Sequence, residues 1–146
     1  MRTDGLATNQ VAPLVPLNIA ILLNSYRSRF IAAIRDSYVR TIGAVSPDSK
    51  LNFFYPVEKD DFPDPDEFDL IIIGGSNVDP RQNWPWMLRM HAFILDLVKN
   101  YPRKKVCGIC WGHQTIARVF GGDIAEMAVP EVRMHKFTCF NYCQYR

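Results

Sequence analysis

The sequence has 146 residues, of which 48% are hydrophobic, which is enough for one domain with a core and too short for two. The net charge of +2 comes from scattered side chains, and the one compact basic run, residues 103–105, precedes a predicted strand, which argues against nucleic-acid binding. The apolar stretch at residues 11–23 contains two prolines and is too short to span a bilayer, and no cleavage site follows it. We therefore expect a soluble, cytoplasmic protein with reduced thiols and no membrane partner.

The first half of the chain predicts a βαβ unit after a flexible extension. Residues 1–16 are polar or interrupted by proline, which predicts a loose N-terminal segment. Residues 17–23 form an apolar run of the kind buried on both faces of a parallel sheet. Asn24-Ser25 predicts a helix cap, and apolar residues at every fourth position predict a helix to Gly43. Those residues are Tyr26, Phe30, Ile34, Tyr38 and Ile42. Residues 51–55 predict the second strand, ended by Pro56.

The second half of the chain repeats this alternation. The acidic stretch at residues 58–69 has the oxygen ligands that calcium prefers but lacks the central glycine and closing glutamate of an EF-hand, so we predict a solvated connection. Residues 70–73 predict a central strand because all four are apolar. A helix from Pro85 to Asn100, a strand at 105–109 and a helix at 114–120 follow. The alternation predicts an α/β fold with a mostly parallel sheet.

The junction between the last predicted strand and helix places Cys110 between Gly108 and Gly112. A strand-to-helix elbow needs residues without a β-carbon around its strained central residue, because the turn is tight. The helix that follows points its free N–H groups and positive end at the cysteine, which favours the thiolate and supplies donors for an oxyanion. This pattern predicts a nucleophile for acyl transfer, with the N–H of Trp111 as an oxyanion donor.

The four cysteines also raise the alternatives of a zinc site and a redox pair, because Cys107 and Cys110 form a Cys-x-x-Cys and Cys139 and Cys143 a Cys-x-x-x-Cys. A strand end and an elbow do not face one metal easily. Cys107 belongs to the strand rather than to the helix start, so we expect a buried, inert thiol there. We predict no metal and no cofactor.

With its flanks, the segment from Gly108 to Gln114 resembles the nucleophile motif Gly-x-Cys-x-Gly-x-Gln of class I glutamine amidotransferases. The strand running into Gly74-Gly75-Ser76, the Pro85-Trp86 helix start and the Gly121-Gly122 helix end agree with this resemblance. It covers residues 17–130 and is closest to the stand-alone branch that includes γ-glutamyl peptidases. It implies a doubly wound, flavodoxin-like α/β domain and a thiolate that cleaves glutamine or a γ-glutamyl small molecule through a γ-glutamyl thioester. The resemblance is also compatible with a synthetase or another protein as a partner.

The resemblance also implies roles for single residues. Cys110 would be the nucleophile, the N–H of Gly75 would be the second oxyanion donor beside that of Trp111, and the amide of Gln114 would hold the substrate. A plain turn at Gly74-Gly75 and a solvent-facing Gln114 are the alternative interpretations.

The family completes its triad with a downstream His-x-Glu, which this sequence does not show. His113 is expected to pack or hydrogen-bond locally and His91 to face water, while His135 is followed by Lys136-Phe137 instead of the required glutamate. Because residues 131–146 also change in composition, we hypothesise a truncated form, incomplete at its C-terminal end. The alternative to an active amidotransferase is then a catalytically incompetent partner subunit with an open sheet edge, which would tend to associate.

Overall fold

The computed structural model describes residues 15–126. It contains a four-stranded parallel sheet in the order β2-β1-β3-β4, with helices between the strands. The strands are β1 (Asn18–Leu22), β2 (Lys50–Phe54), β3 (Leu70–Ile73) and β4 (Lys105–Gly108). The helices are α1 (Ile31–Val45), the short α2 (Pro56–Lys59), α3 (Pro85–Asn100) and α4 (Trp111–Val119), and a 3₁₀ helix spans Pro65–Glu67. The predicted α/β class is confirmed, whereas the predicted tail at 131–146, with His135, lies outside the described residues.

Helices cover both faces of the sheet. On one face, alternate residues of β1 and β3 pack against α3 and α4 in a core that includes Leu22, Ile73, Met90 and Trp111. On the other face, the intervening residues Ile21 and Ile72 pack against apolar residues of α1. The alternation follows from the period of two along each strand. The domain is therefore doubly wound, and the order of its strands is that of a flavodoxin-like sheet.

The sheet order brings the ends of β3 and β4 together. β3 pairs with β1 on one side and with β4 on the other, in a register that aligns Ile73 with Gly108. The prediction that Leu70–Ile73 is a central strand is confirmed. Because both strands are parallel, the loops after Ile73 and Gly108 leave the same edge of the sheet, where α/β proteins bind ligands.

Helix α1 begins at Ile31, several residues after the predicted cap at Asn24-Ser25. The prediction was wrong because Asn24 has another partner. Its buried side-chain amide donates a hydrogen bond to the carbonyl of Gly74 over 3.2 Å, which ties the end of β1 to the end of β3. Arg27 then turns the chain with a φ of 47°, and the N-cap position falls to Phe30, which makes no side-chain cap.

Two further differences concern the short elements. The acidic connection, predicted as a loop, contains α2 and the 3₁₀ helix, each of which starts with a proline. Helices of three or four residues are too short to produce a readable hydrophobic period. α4 starts at Trp111, three residues before its predicted start, because the chain changes direction sharply at Cys110.

Cys107 is exposed, contrary to the prediction of a buried thiol. β4 is an edge strand within the described residues, so its side chains lack the cover that β1 and β3 have. Val106 is 37% exposed and Ile109 is 42% exposed for the same reason. The period-two pattern of a strand cannot show whether another element covers the face on which Cys107 lies. Among residues 15–126, no helix is both long and apolar enough to cross a membrane.

Candidate functional site

Cys110 occupies a strained position between β4 and α4. Its φ is 54° and its ψ is −113°, a region that residues with a β-carbon rarely adopt. Backbone hydrogen bonds hold the turn on both sides: Ile109 N–H donates to the carbonyl of Ile73 over 2.9 Å, and Gln114 N–H donates to the carbonyl of Cys110 over 3.1 Å. The side chain of Cys110 is exposed at the carboxyl edge of the sheet.

The two flanking glycines leave no room for a side chain. A β-carbon on Gly112 would lie 1.9 Å from the carbonyl oxygen of Ile73, and one on Gly108 would lie 2.6 Å from the backbone nitrogen of His113. Neither glycine has a positive φ, so the requirement at both positions is space rather than backbone freedom. Gly112 allows the first turn of α4 to rest directly against the end of β3, and this contact fixes where Cys110 stands.

Gly75 lies beside the cysteine. A β-carbon on Gly75 would be 3.5 Å from Cβ and 3.9 Å from Sγ of Cys110. The loop after β3 and the elbow after β4 therefore meet around the sulfur. Trp111 is the first residue of α4, so its N–H has no acceptor within the helix. Its side chain is buried and packs against Trp86 with ring centroids 5.1 Å apart, which anchors the start of the helix.

Gln114 lies one helical turn beyond Cys110 and is half-buried. It lines a cleft of about 450 Å³ together with Asp79, Arg81 and Glu126. A cleft of this size is within the range of small-molecule sites. The structure thus brings Gly75, Cys110 and Trp111 together, and Gln114 lies one turn further along α4 at a half-buried position.

Arg118 of α4 holds the loop that follows β3, a contact that the sequence did not reveal. Its Nη1 donates to the carbonyls of Pro80 and Gln82 over 2.8 and 2.7 Å, and its Nη2 donates to Oδ1 of Asn83 over 2.8 Å. No periodicity or motif marks these partners, which lie more than 30 residues from Arg118 in sequence. The helix that carries the elbow therefore also positions the opposite wall of the cleft.

Arg81 forms ion pairs with two carboxylates at the cleft. Its guanidinium donates to Asp79 and to Glu126, with the shortest N–O distance at 2.6 Å in each pair. The hydrogen bonds from Arg81 lower the pKa of Asp79 to about 2. Both side chains are partly solvated, so these pairs orient the guanidinium more than they stabilise the fold.

Tyr38 approaches the site from the α1 face of the sheet. Its hydroxyl would lie 2.9 Å from a β-carbon on Gly74, so it sits under the loop that carries Gly75. Burial raises the pKa of Tyr38, and negative charge on Cys107 and Cys110 would raise it further. The phenol therefore stays protonated beside the thiols. In the sequence, Tyr38 was recognisable only as an apolar position of a helix.

One of the two described histidines differs from expectation. His91 of α3 is half-buried and does not face water, whereas His113 is exposed on α4. The Nε2 atom of His91 is out of contact with solvent and has no hydrogen-bond partner. Burial, and then the positive charge of Arg118, lower the pKa of His91. Between residues 15 and 126, no group of three histidine, cysteine, aspartate or glutamate side chains could hold a metal ion.

A second cavity lies at the opposite end of the sheet. It has a volume of about 630 Å³ and is lined by residues at the amino ends of β3 and β4, including Asp69 and Lys104. The Nζ of Lys104 donates to the carbonyl of Phe68 over 2.8 Å, so that lysine has a structural role there. The full length of the strands separates this cavity from Cys110.

Comparisons of the chain with a family model and with known proteins agree on one family. The model of the family described as glutamine amidotransferase class-I matches residues 32–144. The glutamine amidotransferase-like protein chyE of Penicillium rubens is 28% identical over 118 residues, which are 80% of this chain and 50% of that protein. Gamma-glutamyl peptidase 4 of Arabidopsis thaliana is 38% identical over 74 residues, which are 49% of this chain and 26% of that protein.

A similar solved structure is the glutamine amido transferase from Methylobacillus flagellatus. It is 20% identical, with a TM-score of 0.47, and the match covers 74% of this chain and 39% of that one. The chain described here spans half the length of the Penicillium relative and a smaller share of the Arabidopsis one.

Proposed function

Because the chain belongs to the class I glutamine amidotransferase family, we propose that Cys110 is a nucleophile that cleaves glutamine or a γ-glutamyl compound. The thiolate attacks the γ-carbonyl carbon, the C–N bond breaks, and ammonia or an amine leaves with a proton from the surroundings. The product is a γ-glutamyl thioester on Cys110, which water then hydrolyses to a free γ-carboxylate and the thiol.

The observation that carries this proposal is the geometry of the elbow. A strained cysteine at the start of α4 presents its sulfur to the edge of the sheet, with the backbone of Gly75 against it. The backbone N–H groups of Gly75 and Trp111 are the proposed donors to the oxyanion. Gln114, one turn along the helix, is the proposed contact for the substrate.

The proposal assigns only the nucleophilic step to the described residues. A general base next to Cys110 would be a histidine within hydrogen-bond reach, and neither His91 nor His113 occupies that position in the described part of the chain. This observation favours a second candidate function, in which the chain keeps a reactive cysteine and a substrate cleft but acts as a non-catalytic partner subunit.

The test is modification of the folded protein by 6-diazo-5-oxo-L-norleucine, an electrophile that mimics glutamine, followed by peptide mass mapping. We expect the label on Cys110 in the wild type and in Cys107→Ser, and none in Cys110→Ser. The Cys107→Ser variant is the matched control because Cys107 is also exposed and lies only three residues away. A label that moves to Cys107, or that requires unfolded protein, would contradict the proposal.

Release of ammonia and glutamate from glutamine separates the two candidates. Turnover that Cys110→Ser abolishes supports the enzyme. Specific labelling of Cys110 without turnover supports the partner subunit.

A further inference from the structure

The side-chain amide of Asn24 is buried where β1 and β3 end, and it is only half satisfied. Its Nδ2 donates to the carbonyl of Gly74 over 3.2 Å. Its Oδ1 is shielded from solvent and has no hydrogen-bond partner within the part of the chain that the structure describes. A buried acceptor without a partner lowers stability. Stability alone therefore does not explain an asparagine here, and its one hydrogen bond controls the peptide group between Gly74 and Gly75.

The peptide groups at the end of β3 face its two neighbouring strands in turn. The carbonyl of Ile73 accepts a hydrogen bond from the β4 side over 2.9 Å, and the N–H of Gly74 donates to the last carbonyl of β1 over 3.0 Å. In the next peptide group, the carbonyl of Gly74 faces Asn24 on the β1 side. The C=O and N–H of one trans peptide group point in opposite directions, so the N–H of Gly75 faces the β4 side.

The elbow stands on that side. Cys110 follows β4, and a β-carbon on Gly75 would lie 3.5 Å from Cβ and 3.9 Å from Sγ of this cysteine. The direction that Asn24 imposes on the peptide group is therefore the direction that an oxyanion at Cys110 requires of the N–H of Gly75.

The backbone position of Gly74 is fixed independently of Asn24. A β-carbon on Gly74 would lie 2.7 Å from the carbonyl oxygen of Leu22 and 2.9 Å from the hydroxyl of Tyr38, so this residue is packed against β1 and α1. Rotation of the peptide group that follows is less restricted, because glycine on both sides of it permits many backbone conformations. The hydrogen bond from Asn24 removes this remaining freedom.

We propose that Asn24 is a positioning residue of the oxyanion site, which holds the carbonyl of Gly74 and thereby keeps the N–H of Gly75 directed at the substrate oxygen. The inference rests on the proposed function, since it takes Gly75 to be an oxyanion donor. Asn24 acts through the peptide group and not on the substrate.

The test compares two reagents that modify Cys110 of the full chain by different chemistry. With 4-nitrophenyl acetate, the thiolate attacks the acetyl carbonyl, an oxyanion forms, and the C–O bond breaks to give a thioester and 4-nitrophenolate, which leaves without a proton. With iodoacetamide, the thiolate displaces iodide from a saturated carbon, and no oxyanion forms. The ratio of the two second-order rates, measured at Cys110 by peptide mass mapping, therefore reports oxyanion stabilisation, and changes in the thiolate fraction cancel.

Two variants remove the hydrogen bond in different ways. Asn24→Leu keeps a side chain of similar volume and removes the donor. Asn24→Asp keeps the shape and makes the donor depend on pH, because only a protonated carboxyl can donate to Gly74, and burial raises the pKa of such a carboxyl. Asn52→Leu and Asn52→Asp are the matched controls, because Asn52 is a partly buried amide of β2 that donates to Asn18 over 2.8 Å.

We expect both Asn24 variants to lower the ratio about tenfold at about pH 8, which is less than the roughly hundredfold cost of deleting an oxyanion donor. Neither Asn52 variant should change it. As the pH falls toward about 5, the ratio of Asn24→Asp should return toward the wild-type value while that of Asn24→Leu stays low. A purely structural role would not produce this recovery in the ratio.

Three outcomes would overturn the inference. If both Asn24 variants keep the wild-type ratio, Gly75 does not depend on Asn24, and the proposed function stands. If the two rates fall in proportion, Asn24 supports the elbow as a whole and does not direct the N–H. If the wild-type ratio is no higher than that of N-acetylcysteine, no oxyanion is stabilised at Cys110, and the proposed function fails together with the inference. Should Asn24→Leu lack a cooperative urea transition, the pH profile of Asn24→Asp decides, because it compares two protonation states of one protein.

Discussion

At the scale of single residues, Gly112 is the position on which the site depends most. The alanine β-carbon would lie 1.9 Å from the carbonyl oxygen of Ile73, a distance that no side-chain movement can relieve. We expect Gly112→Ala to lower the free energy of unfolding by about 3 kcal/mol, because α4 must shift away from β3. Urea denaturation followed by circular dichroism measures this change.

Gly43 is the matched control for Gly112. It lies within α1, and a β-carbon added there would have no neighbouring atom within 4 Å. Gly43→Ala should therefore raise the free energy of unfolding by about 1 kcal/mol, because alanine is the better helix former. Equal denaturation midpoints for the two variants would contradict the close contact between α4 and β3.

The elbow could be predicted from the sequence because its two glycines and its cysteine follow one another at short, fixed spacings. Gly108, Cys110, Gly112 and Gln114 stand at fixed spacings, and the structure places them at one turn. Arg81 and Arg118 could not be predicted in the same way. Their partners lie up to 45 residues away in sequence, so only the tertiary structure brings them together.

At the scale of elements, the packing of α3 beside α4 places His91 in an unfavourable environment for a charge. Its Nε2 is shielded from water, and burial and Arg118 lower its pKa below the ordinary 6.5. At pH values between the lowered pKa of His91 and 6.5, the unfolded chain therefore binds more protons than the folded chain. The stability that neutral His91 contributes is present above pH 6.5 and declines as the pH falls toward the lowered value.

We expect His91→Gln to remove this part of the pH dependence. The free energy of unfolding of the wild type, measured by urea denaturation between pH 8 and pH 5, should fall more steeply below pH 6.5 than that of the variant. His113→Gln is the control, because His113 is exposed on α4. If the wild type and His91→Gln show parallel pH profiles, His91 is not held in the neutral form by the fold.

The elements themselves were predictable to different degrees. The strands and α3 followed from apolar runs and periodicity, with ends correct to within a residue or two. The start of α1 could not be predicted in this way, because Asn24 donates a hydrogen bond to Gly74, which is 50 residues away, instead of capping a helix. The exposure of Cys107 depends on which strands flank β4, and a strand's own sequence does not contain that information.

At the scale of the whole molecule, the described sheet has an exposed apolar edge. Val106 and Ile109 are more than one-third exposed at β4, which pairs on one side only within the described residues. Unpaired strand edges with apolar side chains favour association. We expect the sedimentation coefficient of the wild type to rise with protein concentration, and we expect Val106→Lys to weaken this rise.

Leu95→Lys is the control for the edge variant. Leu95 is 52% exposed on α3, so the substitution adds the same charge away from the sheet edge. It should leave the concentration dependence unchanged. A wild type with a constant sedimentation coefficient, or equal effects of the two lysine substitutions, would show that the edge of β4 does not drive association.

The hydrogen bonds from Arg118 to the loop after β3 affect the entropy of ligand binding. One guanidinium satisfies two carbonyls and one side-chain amide within four consecutive residues, so this loop is held in place by a helix and not only by its own ends. Ordering a free loop around a ligand usually subtracts from affinity. Here the loop is already ordered in the folded protein. A ligand that binds in the cleft therefore causes little further loss of conformational entropy in this loop.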